Sequence, residues 1–227
     1  MEAASFSAAL CSPGRIDTSR DGTTVLWELT APVSRYAEAD VPTEYGVVRT
    51  VVYRVGESLP PEEHVALVVG DVASGDEPVL TRVHSECWTG EVMRSQKCDC
   101  RDQLDLALRA VTARGRGVVV YLRQEGRGIG LGNKVRAYAL QQQGADTVDA
   151  NRLLGFADDA RRYDVAAAIL GDLGVRSVAL MTNNPAKVQG LVDGGIVVAE
   201  RVALKGESNE HNAEYLAVKA RKMGHAL

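Results

Sequence analysis

Nowhere in this 227-residue sequence do the roughly 18 consecutive apolar residues of a spanning helix occur, so no membrane association is expected. The opening Met1-Glu2-Ala3-Ala4-Ser5-Phe6 lacks the basic start and long apolar stretch of a secretory leader, and a cytoplasmic location is the expectation. Positive charge is not in excess: 26 Lys and Arg stand against 30 Asp and Glu, a formal net charge of -4. That balance argues against a nucleic acid polymer or an anionic membrane surface as partner, while allowing a local basic pocket. No internal repeat is visible, and no linker is strong enough to divide the body. Cysteine is scarce, four in all, and in a reducing compartment clustered cysteines read as metal ligands or reactive thiols before a disulfide framework.

What is present has an ordinary globular texture, 45% hydrophobic and 25% charged, which suggests neither disorder nor a span. Residues 1–35 scatter Ser, Gly, Asp and Arg around Val25-Leu26-Trp27 and read as an N-terminal extension of unknown role, ahead of a body over 36–227. Val47–Val55 and Val65–Val72 are rich in β-branched residues and bounded by turn formers, which predicts strands. Leu104, Ala107, Leu108 and Val111 fall at i, i+3, i+4 and i+7, the stripe of an amphipathic helix that Gly115 and Gly117 end. Val118–Leu122 reads as a buried strand delivering Arg123–Arg127 at its carboxyl end. Helices are expected over 133–143 and 163–173, after Pro185 and over Glu210–Met223, with strands at Ser177–Met181 and Ile196–Val198. A strand-rich first half and an alternating second half together predict an α/β (mixed α+β) class in one compact domain.

Three of the cysteines cluster: Cys87, then Cys98 and Cys100 around Asp99, with Cys11 far away in a segment without a motif. Three thiolates hold Zn²⁺ well, and a fourth position left to water makes such a site catalytic. A structural site closed by His84, a redox pair or plain buried thiols are the alternatives on spacing alone. Glu86, beside a ligand, favours the catalytic reading because zinc hydrolases and deaminases use a nearby carboxylate for proton transfer.

The motifs Arg82-Val83-His84-Ser85-Glu86-Cys87, Thr89-Gly90 and Cys98-Asp99-Cys100 resemble GTP cyclohydrolase II. Arg123-Gln124-Glu125-Gly126-Arg127-Gly128-Ile129-Gly130-Leu131 and Asn133-Lys134-Val135-Arg136-Ala137-Tyr138 continue the resemblance, as do Leu154-Gly155-Phe156, Asp159-Ala160-Arg161 and Thr182-Asn183-Asn184-Pro185. The likeness runs in order over roughly residues 40 to 225. It implies a compact domain with a zinc-bearing loop that attacks GTP at guanine C8, loses formate and releases pyrophosphate, the first step of riboflavin synthesis. It further implies one zinc per chain on Cys87, Cys98 and Cys100, Mg²⁺ with the triphosphate, a homodimer, and a monofunctional protein.

By the same resemblance GTP is held by Arg82, Val83, His84, Ser85, Glu86, Gln103, Glu125, Gly126, Arg127, Thr147, Thr182 and Lys187. Asp159, Arg161 and Tyr138 take the catalytic places: base, nucleophile at the α-phosphate, and completion of ring opening. Physical chemistry agrees in kind, since Arg and Lys suit a triphosphate and Arg127 sits in a glycine-rich loop. An arginine is essentially always protonated, so Arg161 is also readable as an electrostatic clamp. Glu125 could accept from the guanine N1–H and amino group, or pair with Arg123 or Arg127. Trp88 and Arg101 depart from the family's usual residues but remove no chemical group. Two other readings stay open: a secondary-metabolism relative that keeps the formyl group or uses another purine nucleotide, and a noncatalytic nucleotide sensor with structural zinc.

Overall fold

The computed structural model describes residues 32–58, 60–143, 147–157 and 159–204. The helix expected over Glu210–Met223 lies outside the described residues, as does the N-terminal extension up to residue 31. In chain order the elements are β1 (Val33–Thr43), β2 (Gly46–Val55), β3 (Glu62–Val69), β4 (Val79–Ser85), α1 (Trp88–Glu91), α2 (Cys100–Arg114) and β5 (Gly117–Leu122). Then come α3 (Leu131–Gln142), α4 (Thr147–Leu153), α5 (Asp164–Asp172), β6 (Ser177–Met181), α6 (Pro185–Asp193) and β7 (Val197–Val202). The strands form one seven-stranded sheet in the order β1-β2-β3-β5-β4-β6-β7. The β1-β2-β3-β5 side is antiparallel, and β5-β4-β6-β7 is parallel. This is the mixed α/β class the sequence predicts.

Period-two alternation sorts the strand residues between two faces. Val83, Val118, Val120 and Leu122 join Ile169 and Leu170 of α5 and Leu191 of α6 in one core. Leu80, Val119, Ala179 and Met181 meet Ala107, Leu108 and Val111 of α2 in a second core on the other face. The predicted stripe of α2 is therefore the one that packs. Gly115 ends α2 in the left-handed conformation, φ 68°, which glycine adopts without the strain a side chain would bring.

Four elements differ from the reading of the sequence. β4 was not anticipated, because Arg82 and His84 interrupt its apolar texture; in the fold both are buried on the face that carries α1 and α2. β3 stops at Val69 instead of Val72: Gly70 turns with φ 70°, and a Cβ there would collide with the Gly115 carbonyl. The short helix α4 carries no strong periodic signal. β1 starts at Val33 and so takes in the last three residues, Val33–Arg35, of the segment read as an extension.

β4 and β5 run parallel with His84 opposite Tyr121 and Ser85 opposite Leu122, so their carboxyl ends stand side by side. Open sheets with parallel strands place ligand sites in the crevice beyond such ends. The chain leaves β4 directly into the cysteine loop and leaves β5 into the glycine-rich loop.

Candidate active site

The cysteine loop is short, and its cysteines converge. Cys87 follows β4, Cys98 lies in the loop, and Cys100 opens α2 behind Asp99, where the positive end of a helix favours thiolates. All three Sγ atoms lie within 4.8 Å of one another, and among the described residues this is the group of His, Cys, Asp and Glu side chains able to hold a metal ion. Gly90 supplies the room: a Cβ on it would stand 3.0 Å from Cys98 Sγ and 3.2 Å from Cys87 Sγ. Three soft donors converging on a space kept open by a missing side chain fit zinc. His84 does not join them. Its Nε2 sits 2.7 Å from Glu91 Oε1, and burial lowers its pKa, so the closed structural site considered from spacing has no fourth ligand there.

Glu91 fixes the loop from below. Its carboxylate accepts from the Cys87 backbone N–H at 3.1 Å and from Tyr121 Oη as well as meeting His84. Arg82 and Gln103 brace the other side. Buried Arg82 donates to the Met181 carbonyl at 2.8 Å and to Gln103 Oε1, while Gln103 Nε2 donates to Oδ2 of Asp99, the residue between Cys98 and Cys100, at 2.6 Å. Burial pulls the Arg82 pKa down to about 10, which still leaves it charged at neutral pH.

The glycine-rich loop forms the facing wall. Gly126 and Arg127 both adopt left-handed conformations, with φ 63° each, a strained state for arginine. Both terminal nitrogens of Arg127 are buried without a hydrogen-bond partner among the described residues. Glu125 is 7% exposed, and it pairs with neither Arg123 nor Arg127. Its carboxylate accepts from Trp88 N at 2.6 Å, Gly126 N at 2.6 Å and Lys134 Nζ at 2.8 Å. It thereby pins the glycine-rich loop to the cysteine loop.

Between the walls lies a cavity of about 100 Å³ lined by Ser85, Glu86, Cys87, Cys98, Cys100, Glu125, Gly126, Arg127, Tyr138 and Arg161, among others. Burial raises the Glu86 carboxyl above its ordinary range. Desolvation pushes the Tyr138 phenol up to about 12, so it remains a donor at neutral pH. Arg161 is gripped by Asp159 through Nε–Oδ1 at 2.8 Å and Nη2–Oδ2 at 2.5 Å. Burial alone would raise Asp159, but this bidentate pairing overrides it and holds the carboxyl below the usual range.

Not every expected residue reaches that cavity. Val83, His84, Arg82 and Gln103 lie beneath it in β4 and α2, and Asp159 acts on it through Arg161. Thr182 and Lys187 are buried beyond the end of β6, where Lys187 Nζ donates to the Val83 carbonyl at 2.7 Å and Thr182 Oγ1 accepts from Asn184 N. Thr147 opens α4, and its side chain lies outside the described residues. The cavity adds Lys134, Gln141 and buried Asn151. Lys134, Tyr138 and Gln141 share one helical face at i, i+4 and i+7, a spacing that could have found the first and last. Asn151 had no such signal, because α4 itself was not legible.

The family model described as GTP cyclohydrolase II matches residues 34–203. Riboflavin biosynthesis protein RibBA of Bacillus subtilis (strain 168) is 53% identical over 201 residues, 88% of this chain and 50% of its own length, so this chain spans half of that relative. GTP cyclohydrolase-2 of Pasteurella multocida (strain Pm70) is 51% identical over 197 residues, covering 87% of this chain and 89% of the relative. Among solved structures, RibBX, a two-domain 3,4-dihydroxy-2-butanone 4-phosphate synthase from A. baumannii, is similar over 80% of this chain and 42% of its own, at 22% identity and a TM-score of 0.44.

Proposed function

Because this chain belongs to the GTP cyclohydrolase II family, we propose that it hydrolyses GTP, opening the guanine imidazole ring and releasing formate and pyrophosphate for riboflavin synthesis. The observation that carries this reading is the convergence of Cys87, Cys98 and Cys100 on one cavity with Arg127, Tyr138 and Arg161. One zinc, held by the three cysteines, supplies Lewis-acid activation of water when bound.

The residues around it divide the remaining work. Arg127, with both terminal nitrogens uncommitted among the described residues, binds phosphate oxygens through its planar fork, and Mg²⁺ accompanies the triphosphate. Arg161 acts as the electrostatic clamp on charge developing at the α-phosphate, and Asp159 orients it by the bidentate pair. Glu86 on the cavity wall carries protons to and from the attacked ring, and the Tyr138 phenol orients the formyl group for its removal. Ser85 and Gly126 complete the wall. Arg82, His84, Gln103 and Glu125 serve GTP binding by holding that wall in place, with Val83, Thr182 and Lys187 in the layer beneath. We further assign residues 36–227 to the catalytic unit, which acts as a cytoplasmic homodimer; light scattering at micromolar concentration checks the dimer.

Incubating the zinc-loaded protein with GTP and Mg²⁺ tests the reaction. Purine absorbance should fall while mass spectrometry finds the diaminopyrimidinone ribosylamino phosphate, formate and pyrophosphate. Intact GTP would sink the proposal. A product that keeps its formyl group would sink the deformylation step and the role given to Tyr138.

A further inference from the structure

Lys134 stands on the first turn of α3, its side chain 13% exposed, with its ammonium 3.1 Å from Cys87 Sγ and 2.8 Å from Glu125 Oε1. The approach is built into the backbone. Gly126, with φ 63°, lets the glycine-rich loop pass over the lysine stem, since a Cβ there would lie 3.1 Å from Lys134 Cβ and 3.2 Å from Ile129 Cγ1. Glu125 in turn accepts from Trp88 N, the residue after Cys87, so a closed ring runs from Cys87 Sγ through Lys134 and Glu125 back to the cysteine loop. Cys87 is thus held at both ends, its N–H by Glu91 and its sulfur by Lys134.

We propose that Lys134 tunes the metal centre, donating a charged hydrogen bond to the Cys87 sulfur and offsetting the negative charge gathered there. This rests on the three-cysteine zinc site proposed above. Three thiolates around a divalent ion leave one net negative charge, in a cavity that must also admit a polyanion; an ammonium shared between one sulfur and Glu125 weakens that charge where it is concentrated, at Cys87. A hydrogen bond to a thiolate also withdraws electron density from the ligand, so the ion stays a stronger Lewis acid than three unmodified thiolates would allow. Two of the lysine's three N–H bonds are committed inward, to Cys87 and Glu125, so its role differs from that of Arg127.

Substituting Co²⁺ for zinc reads the sulfur directly, through the sulfur-to-cobalt charge-transfer band. Lys134→Met should move that band to longer wavelength, because a sulfur without its hydrogen bond gives up electron density more easily. It should also weaken metal retention against a chelator by about 10-fold to 100-fold, the range for partners of metal ligands. Lys134→Arg should return the band most of the way toward its original position. A purely structural lysine would change stability in both variants and leave the band energy alone. Should Lys134→Met fold poorly, Lys134→Gln removes the same charge and should show the same direction of shift. An unmoved band with unmoved chelator competition overturns the role of Lys134 and leaves the zinc site standing. Wild-type protein with no sulfur-to-cobalt band at all overturns the zinc site and the tuning role together.

Discussion

Gly90 has no chemistry of its own, yet the proposed metal site depends on the space it leaves between the cysteines. The missing side chain leaves the space between Cys98 Sγ and Cys87 Sγ, and Cys100 Cβ stands 3.5 Å from where a Cβ would be. Two ligand atoms would have to retreat from an added methyl group, and zinc tolerates little change in thiolate distance. Gly90→Ala should therefore weaken zinc binding by on the order of 10-fold or more, with a matching loss of turnover, the scale of disturbances next to metal ligands. Metal analysis after dialysis against a weak chelator checks this; full zinc content in the variant would show that the loop relaxes around the methyl. Tyr138 offers a contrasting case, where the group lost is small and the geometry survives. Burial keeps its phenol protonated at neutral pH, and it lines the same cavity as the cysteines. Tyr138→Phe should slow deformylation by about 100-fold, within the usual range for a lost proton donor, and slow ring opening less. The formylated pyrimidine would then accumulate in a time course followed by mass spectrometry.

At the scale of elements, the two ends of the parallel strands have different tasks. The carboxyl ends of β4 and β5 feed the cysteine loop and the glycine-rich loop, while the β3–β4 connection at the opposite end is held by Arg116, which donates to the carbonyls of Asp71, Ser74 and Glu77. Arg116→Ala should cost about 1 kcal/mol of stability, because these bonds are partly solvated, and leave turnover per folded molecule unchanged. Urea unfolding beside steady-state kinetics separates the two effects. The same division explains what was legible in the sequence. Elements with a single buried stripe, such as α2 with Leu104, Leu108 and Val111, announce themselves by periodicity, and the apolar run of β5 does so by composition. β4 hides because Arg82 and His84 are polar, and the groups they meet, Gln103 of α2, Glu91 of α1 and the Met181 carbonyl of β6, come from other elements. The cysteines were legible because their chemistry is rare. Glu91 was not, because a glutamate on a short helix looks solvated until tertiary structure supplies its partner, and Lys134 was within reach only through its i, i+4 spacing from Tyr138.

Across the whole molecule, two buried histidines couple the fold to acid. His64, on β3, is 2% exposed and accepts from the Arg123 backbone N–H through Nδ1 at 3.0 Å, while its Nε2 faces Glu62 Oε1 at 3.0 Å. That pairing requires the neutral tautomer with hydrogen on Nε2. A second proton would have to enter on Nδ1, against the Arg123 amide that begins the glycine-rich loop. Burial lowers the pKa of His64 below its ordinary 6.5; Glu62 on its own strand opposes this, and Arg123 and Arg162 from the facing segments add to it. His84 is likewise lowered, first by burial and then by Arg82 and Lys187 against the pull of Glu91. For a folded-state pKa below the unfolded value, the unfolded chain binds more protons through the interval between them. The stability contribution is therefore full above about pH 6.5 and is lost as pH falls toward the folded-state values. Each histidine can add at most about 1.4 kcal/mol of lost stability per pH unit in that interval. Chemical unfolding at pH 8, 7, 6 and 5, chosen to bracket the imidazole range, should show a stability that is flat at first and then declines. His64→Gln should lower the plateau, by removing packed bonds, and make the decline shallower. A decline of unchanged steepness in that variant would show that His64 is protonated in the folded protein without cost, and that the Arg123 amide does not depend on it.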